Sequence, residues 1–312
     1  MKYSYFYKQE WCADDREYDV FLSGYDGCER TNTIFKQTKA KSKYWLLFPQ
    51  YQCDSSPEDG EEVLKSDKYE ESDYIIEVIS QIEEQFNPQM KLCIDCSGML
   101  IPHLMFLLMH LQSLNIRNFE VIYSSPLFYQ QEEDTIFGDI VETPRSIDGY
   151  EINCKVNAPE YVIMFAGYNE ELVRNVALAK GSAIEKHIII GFPPIEADMY
   201  QQSMIQLHKS SEILGEKGII YHKASAYDPL VVAEKLEKIL RGIEKKYCEK
   251  IGAINIAPLS TKACAVAAAI VYMYNQQSSL RIIYPPTKKY YTRQAVGIGK
   301  SYVYTLELPQ YS

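Results

Sequence analysis

Four short segments of this 312-residue chain place glycine, hydroxyl, amide or acid side chains directly after apolar runs. Two lie in the first half, at Ser23–Asp26 and Asp95–Gly98, and two lie in the second half, at Gly167–Asn169 and Ser260–Lys262. Turns of this composition present backbone N–H groups and hydroxyls next to a helix N-terminus, and these groups bind phosphate. The first chemistry that the sequence indicates is therefore binding of a phosphate-bearing ligand.

The elements that must position these turns alternate between strand-like and helix-like patterns. Asp19–Ser23, Tyr44–Phe48 and Phe119–Tyr123 are short apolar runs bounded by Gly, Pro or Ser, which is typical of buried strands. Helical periodicity separates such runs, as in Tyr74–Gln85. Strands that alternate with helices predict an α/β fold with mainly parallel sheets and crossover helices, of the Rossmann-like class. Ligands bind such sheets at the carboxyl ends of the strands.

The two halves of the chain also resemble each other. Four blocks match in the same order, first at an offset of 143 or 144 residues and then of 160 or 161. The blocks are Phe21–Asp26 with Met164–Asn169, Leu47–Pro49 with Gly191–Pro193, Cys93–Ser97 with Ala253–Ala257, and Val121–Ser125 with Ile282–Pro286. We interpret this as two tandem Rossmann-like units, 1–150 and 151–312, related by a pseudo-two-fold, with an extra helix near 199–214 in the second. The alternative is that unrelated strand–helix units converged on similar turns.

The candidate ligand-binding residues follow from this arrangement. If the two carboxyl edges face each other, they form one composite cleft, with most of the phosphate held by the second half. The candidates are Ser23, Gly24, Tyr25, Asp26, Arg30, Asp95, Ser97, Gly98, Gly167, Tyr168, Asn169, Ser260, Thr261, Lys262, Tyr284, Lys288, Lys289 and Arg293. No metal site and no cofactor are expected.

The charge distribution favours an anionic ligand in the second half. The net charge of −10 argues against general binding to a nucleic acid backbone. From Ala253 through Thr305, however, there is no Asp or Glu. The basic residues in that segment are Lys262, Arg281, Lys288, Lys289, Arg293 and Lys300. A site for an anion accounts for both facts. The alternative is that the segment forms interior strands and a buried helix, where acids are disfavoured anyway.

Ile94-Asp-Cys-Ser-Gly98, with the apolar helix and the strand Glu120–Tyr123 that follow, resembles the CARF-type Rossmann-like sensor domains. Two such units in tandem are similar to the SAVED domains of bacterial antiviral systems, which bind cyclic oligonucleotide messengers. Pro258–Lys262 is the corresponding turn in the second half. The resemblance covers the architecture of most of the chain and a few short motifs. It implies a sensor that acts through a separate effector protein, because the two units account for the whole length.

The leading functional hypothesis is thus a binding protein for an anionic nucleotide, a cyclic oligonucleotide being one such ligand, that works with a protein partner in antiviral defence. One alternative is an enzyme on the same scaffold that cleaves or transfers a nucleotide or sugar-phosphate group. Its candidate catalytic residues are Asp26, Asp95, Ser97, Asp134 and Asp228. A second alternative is a structural subunit of a larger complex.

Other function classes lack support in the sequence. Gly297-Ile-Gly-Lys-Ser301 is similar to the end of a P-loop, but that motif requires Gly at the position of Gln294 and a helix afterwards. No apolar run reaches the roughly 18 residues that a membrane helix needs. The first residues lack the apolar core of a signal peptide, so we expect a cytoplasmic protein. From the short apolar runs and the net negative charge, we expect binding neither to membranes nor to duplex nucleic acid.

Overall fold

The computed structural model describes residues 7–13, 16–51, 56–129, 138, 143–151, 158–167, 169–195, 199–214, 218–247, 251–275, 279–291 and 295–310. Within these residues the chain is mixed α/β, and its sheets are mostly parallel, as the sequence predicts. None of the described helices combines the length and the apolar character that crossing a membrane requires.

The helices and strands follow the predicted alternation. In the first half they are β1 (Tyr7–Glu10), β2 (Glu17–Gly24), α1 (Glu29–Gln37), β3 (Lys39–Leu47), β4 (Glu62–Lys65), α2 (Glu71–Ser80), a 3₁₀ turn (Glu83–Gln85), β5 (Leu92–Asp95), α3 (Ile101–Ser113), β6 (Asn118–Ser124) and β7 (Phe128–Tyr129). They continue with β8 (Arg145–Ser146), β9 (Glu160–Ala166), α4 (Glu170–Ala179), β10 (Glu185–Gly191), α5 (Met199–Lys209), α6 (Ser211–Leu214), β11 (Ile219–Ala224), α7 (Pro229–Tyr247), β12 (Ala253–Ala257), α8 (Lys262–Asn275), β13 (Leu280–Tyr284), β14 (Ala295–Val296) and β15 (Ser301–Glu307).

Two large sheets contain most of the described strands. The first has the order β1-β15-β6-β5-β2-β3-β4, and the second has the order β11-β10-β9-β12-β13-β8. In each sheet five adjacent strands run parallel, and one antiparallel strand, β15 or β8, lies beside the fifth. In the first sheet, β1 then pairs antiparallel with β15. The first parallel strand of each, β2 or β9, lies between the second and the fourth, so the order reverses beside it. Ligands of open α/β sheets bind at such a reversal.

The division into units differs from the expected boundary at its carboxyl end. The chain forms two compact units: unit 1 comprises Met1–Ile140 and Lys288–Ser312, and unit 2 comprises Val141–Thr287. The closing segment therefore belongs to unit 1 and not to the second unit. The reason is strand pairing, because β15 lies antiparallel to β6 from Ser301 to Glu307 and buries Val303 and Tyr304.

The four matched sequence blocks lie on equivalent strands of the two sheets. They end or follow β2 and β9, β3 and β10, β5 and β12, and β6 and β13, which are the first, second, fourth and fifth parallel strands of their sheets. The third block is shifted, because Asp95 ends β5 whereas its match, Asn255, lies in the middle of β12. The additional helix expected near 199–214 is present as α5 and α6, between β10 and β11.

Aromatic packing fixes the helical layer of unit 1 against its sheet. Phe35 of α1 stacks on Trp45 of β3, with ring centroids 3.9 Å apart and planes 12° apart. Phe21 of β2 also packs against Phe35, with the ring centroids 5.8 Å apart. All three side chains are buried, and burial of rings of this size is a large stabilising contribution. The packing anchors α1, whose N-terminus lies at the carboxyl edge of the sheet.

Candidate functional site

In unit 1 the predicted residues meet where β2 and β5 end side by side. Ser23 and Asp95 are direct neighbours in the parallel register of these strands. The Ser23 hydroxyl donates to Asp95 Oδ2 over 2.9 Å, and the Ser97 backbone N–H donates to Asp95 Oδ1 over 2.9 Å. The Ser97 hydroxyl accepts the backbone N–H of Ser124 over 2.8 Å. Hydrogen bonds therefore join the carboxyl ends of β2, β5 and β6 into one buried network.

Two glycines bring the backbones after β2 and β5 into direct contact. A Cβ on Gly24 would lie 2.7 Å from the carbonyl carbon of Gly98, and a Cβ on Gly98 would overlap the carbonyl oxygen of Gly24. Both obstacles are backbone atoms, which cannot rotate away as side chains do. The glycines at this edge are thus explained by the packing of two chain segments.

We expect Gly98→Ala to destabilise unit 1 by about 2–4 kcal/mol, because the new methyl group forces the β2 and β5 turns apart. Urea denaturation measures this change. Gly242→Ala is the control, since Gly242 is exposed at its position on α7 and no atom lies within 4 Å of an added Cβ. It should stabilise the protein by about 0.5–1 kcal/mol. Equal effects of the two substitutions would contradict the packing argument.

Asp26 places a carboxylate just before the N-terminus of α1. Its Oδ1 accepts the Cys28 backbone N–H over 2.9 Å and the Thr31 hydroxyl over 2.7 Å. Its Oδ2 accepts from the Arg30 guanidinium over 3.2 Å. Burial disfavours ionisation, but Arg30 and these hydrogen bonds outweigh it, so the pKa of Asp26 lies below its ordinary value. The protein's own anion therefore occupies the position beside this helix N-terminus that favours negative charge.

Arg30 is held inside the same network. Its side chain is 8% exposed, and its guanidinium also donates to the Ser97 carbonyl oxygen over 3.1 Å. Burial alone would lower the pKa of Arg30, but the carboxylate of Asp26 more than compensates and raises it. The guanidinium Nε is buried without a hydrogen-bond partner among the described residues. Arg30 therefore neutralises Asp26 and connects α1 to the turn after β5.

Burial changes the pKa of Asp95, the acid at the end of β5. Its side chain is fully buried. Burial raises the pKa of Asp95 to about 6, although the hydrogen bonds from Ser97 and Ser23 favour the charged form. A carboxyl group with a pKa near neutrality is a feature of many catalytic sites, and it also arises in structural networks.

The equivalent edge of unit 2 is more open. Gly167 packs against Ser260, since an added Cβ would lie 2.9 Å from the Ser260 Cα. Asn169 caps α4 by accepting the Leu172 N–H over 3.3 Å. The Thr261 hydroxyl accepts the Cys264 N–H over 3.3 Å and donates to the Ala226 carbonyl over 2.7 Å, which fixes the start of α8. Ser260, Thr261 and Lys262 are half-exposed, unlike the buried network of unit 1.

The remaining predicted residues are distributed between the units. Tyr284 is buried at the end of β13 in unit 2. Lys288 and Lys289 belong to unit 1, whereas Lys262 belongs to unit 2. Lys289 Nζ lies 5.6 Å from the centroid of the Tyr291 ring. Tyr168 and Arg293, as well as Asp134 of the enzyme hypothesis, lie outside the described residues.

Arg281, one of the cations in the acid-free segment, has a structural role in unit 2. Its guanidinium hydrogen-bonds Glu160 over 3.3 Å and also contacts Asn255. The Glu160 carboxylate accepts from Lys180 over 2.7 Å as well. Glu160 begins β9 and Arg281 is the second residue of β13, so this pair lies away from the carboxyl edge of the sheet. Arg281 therefore links neighbouring strands. Within the acid-free segment, Lys262 is the cation that lies at the carboxyl edge of unit 2.

Sequence reasoning did not pair two histidines that the fold brings together. His187 of β10 and His222 of β11 are joined by a 2.9 Å contact between Nδ1 and Nε2. Burial lowers the pKa of His222 to about 4, with the neighbouring His187 adding to the effect, so this histidine is neutral at pH 7. The two residues are 35 positions apart, and their pairing depends on the register of two parallel strands. The alternation of apolar and polar residues predicts each strand, but it does not predict the register between the two strands.

Comparisons with known proteins do not assign the chain to a family. No protein-family model matches the chain, and no curated protein matches it. The chemistry of the two sheet edges is therefore the basis for a functional assignment.

Proposed function

We propose that this chain binds a phosphate-bearing nucleotide at the carboxyl edge of the unit 2 sheet. The observation that carries the proposal is the contrast between the two edges. At the edge of unit 1 the carboxylates of Asp26 and Asp95 are buried. At the edge of unit 2 the Ser260-Thr261-Lys262 turn is half-exposed, and the 14-residue helix that begins there has no acid in its first turn. At the matched position, Asn169 replaces the charged Asp26 with a neutral side chain.

The helix dipoles support one position for the proposed phosphate within this edge. The first turn of α4 contains Glu170 and Glu171, which repel an anion. The first turn of α8 contains Lys262 and no acid, so the positive end of the helix dipole and the ammonium group favour an anion at the same place. Ser260 and Thr261 add hydroxyl groups beside it. The proposed phosphate site is therefore the start of α8 and not that of α4.

The proposed biological role is that of a sensor. Two Rossmann-like units with the same order of parallel strands, and with matching segments at equivalent strands, support an origin by duplication. We propose that the units are pseudo-two-fold related, as in the SAVED arrangement that the sequence resembles, and that the bound nucleotide is read out by a separate effector protein. A cyclic oligonucleotide is the ligand that this arrangement favours.

Calorimetric titration with linear and cyclic nucleotides tests the proposal. We expect Lys262→Ala to weaken nucleotide binding about 10- to 100-fold, because it removes a charge-assisted contact to phosphate. Lys238→Ala, an exposed lysine on α7 of the same unit, should leave the affinity unchanged. Failure of every nucleotide, linear or cyclic, to bind the wild-type protein would remove the proposal.

An enzyme that acts on the same class of ligand is the second candidate. It is favoured by the raised pKa of Asp95 and by the Ser23 hydroxyl 2.9 Å from its carboxylate. This candidate predicts turnover of a nucleotide that Asp95→Ala abolishes. Binding without turnover in the wild-type protein favours the sensor.

A further inference from the structure

An exposed aromatic cluster lies at the end of β10, one strand beyond β9. Phe192 directly follows β10 and is 47% exposed. The ring of Tyr200, from α5, lies at 70° to it with the centroids 5.4 Å apart. Lys223 Nζ lies 4.9 Å from the Phe192 centroid and 5.2 Å from the Tyr200 centroid. A partly exposed ring beside a second ring and a cation is suited to binding a flat, electron-rich ligand group.

The backbone holds this cluster at the carboxyl edge of the sheet. The Phe192 N–H donates to the Ala224 carbonyl over 2.6 Å, and the Ala226 N–H donates to the Pro193 carbonyl over 3.1 Å. These bonds join the turn after β10 to the end of β11. Tyr200 comes from α5, and no described residue between β3 and β4, the equivalent connection of unit 1, is helical. The cluster is therefore specific to unit 2.

The spacing of the strands relates the cluster to the proposed phosphate site. β10 pairs with β9, and β9 pairs with β12, which leads into Ser260 and α8. Neighbouring strands lie about 4.8 Å apart, so the ends of β10 and β12 are separated by roughly 10 Å. A nucleoside monophosphate spans a distance of this order from its base to its phosphate.

We propose that Phe192, together with Tyr200 and Lys223, binds the base of the nucleotide whose phosphate lies at the start of α8. This inference rests on the proposed function and adds the position of the base, which stacks on Phe192. The exposed part of the Phe192 ring supplies the stacking surface, and Lys223 attracts the acceptor atoms of the base edge. Stacking tolerates any base, because every base has an aromatic face.

Titration of AMP and of ribose 5-phosphate, which lacks the base, tests the inference. Stacking on one aromatic side chain strengthens binding about 5- to 100-fold, so the wild-type protein should prefer AMP by such a factor. Phe192→Ala should abolish this preference and leave the ribose 5-phosphate affinity unchanged. Phe192→Trp should keep the preference, and AMP should quench the fluorescence of the new indole. Lys262→Ala should weaken the binding of both compounds.

The control is Tyr221→Ala, which removes another exposed aromatic side chain, 54% exposed, from the middle of β11. It should leave both affinities unchanged, and circular dichroism should show that all variants are folded. If Phe192→Ala keeps the preference for AMP, or if the wild-type protein binds both compounds equally, the base-stacking inference is wrong while the proposed function stands. If the wild-type protein binds neither compound, both this inference and phosphate binding at α8 are overturned for mononucleotides.

Discussion

Asp95→Asn should raise the free energy of unfolding of unit 1 by about 2–3 kcal/mol at pH 8 and by little at pH 4. The reason is the raised pKa of Asp95, which burial moves from an ordinary 3.8 to about 6. Between these pH values the unfolded chain releases the proton while the folded chain still holds it. Rising pH therefore favours the unfolded state over this interval, and the asparagine removes that cost. Its amide can still accept from the Ser97 N–H and donate to the Ser23 hydroxyl.

Urea denaturation at pH 4, 5, 6, 7 and 8 measures this effect. The two tryptophans of the chain, Trp11 and Trp45, belong to unit 1, so their fluorescence reports the unfolding of that unit. Asp26, whose pKa is lowered, contributes the opposite pH dependence to both proteins. The informative quantity is therefore the difference between variant and wild type at each pH. A difference that does not change between pH 4 and pH 8 would contradict the proposed burial of an ionisable Asp95.

Arg30→Met should destabilise unit 1 by about 3–5 kcal/mol, because it leaves the carboxylate of Asp26 buried without its cation. Asp26→Asn alone should also destabilise unit 1, since a buried guanidinium then lacks its anion. The double variant Asp26→Asn with Arg30→Met should recover much of the loss, because neither charge remains. The same tryptophan fluorescence follows all three variants in urea.

Lys36→Met is the matched control for this cycle. Lys36 lies on the same helix as Arg30 and pairs with Glu58 over 2.6 Å, but both side chains are more than half exposed. Solvent screening makes such pairs weak, so we expect almost no change in stability. If Arg30→Met is no more destabilising than this surface substitution, the buried network does not hold the α1 and β5 turns together as described.

Most of the secondary structure was predictable from apolar periodicity. The runs that form β2, β5, β6, β9 and β12 are apolar and bounded by turn residues, and each is a buried strand. The acidic, turn-rich composition of Asp54–Glu71 predicts a surface loop, but this segment contains β4. Only Leu64 of the four β4 residues is buried, so the strand pattern is too short to detect. The sequence pattern from about Cys28 to Ala40 predicts a helix, but α1 ends earlier, at Gln37, because β3 begins at Lys39 and continues the sheet.

The position of the closing segment could not be predicted in the same way. The strand-like character of Tyr302–Leu308 is visible in the sequence, and β15 confirms it. Alternation gives the presence of a strand but not its partner, and nearness in sequence favoured the second unit. Lys288 and Lys289 belong to unit 1 together with β15, whereas the sequence-based prediction assigned their positive charge to the second unit.

Composition alone identified four turns that follow strands and carry polar side chains. A parallel α/β fold places every such turn at one edge of its sheet. The turns are Ser23–Asp26, Asp95–Gly98, Gly167–Asn169 and Ser260–Lys262. Only the tertiary structure decided which of them are accessible. In unit 1 the side chains satisfy one another, since Arg30 neutralises Asp26 and the two glycine backbones close on each other. In unit 2 the start of α8 stays half-exposed. Burial and pairing are properties of neighbours distant in sequence, and no local pattern specifies them.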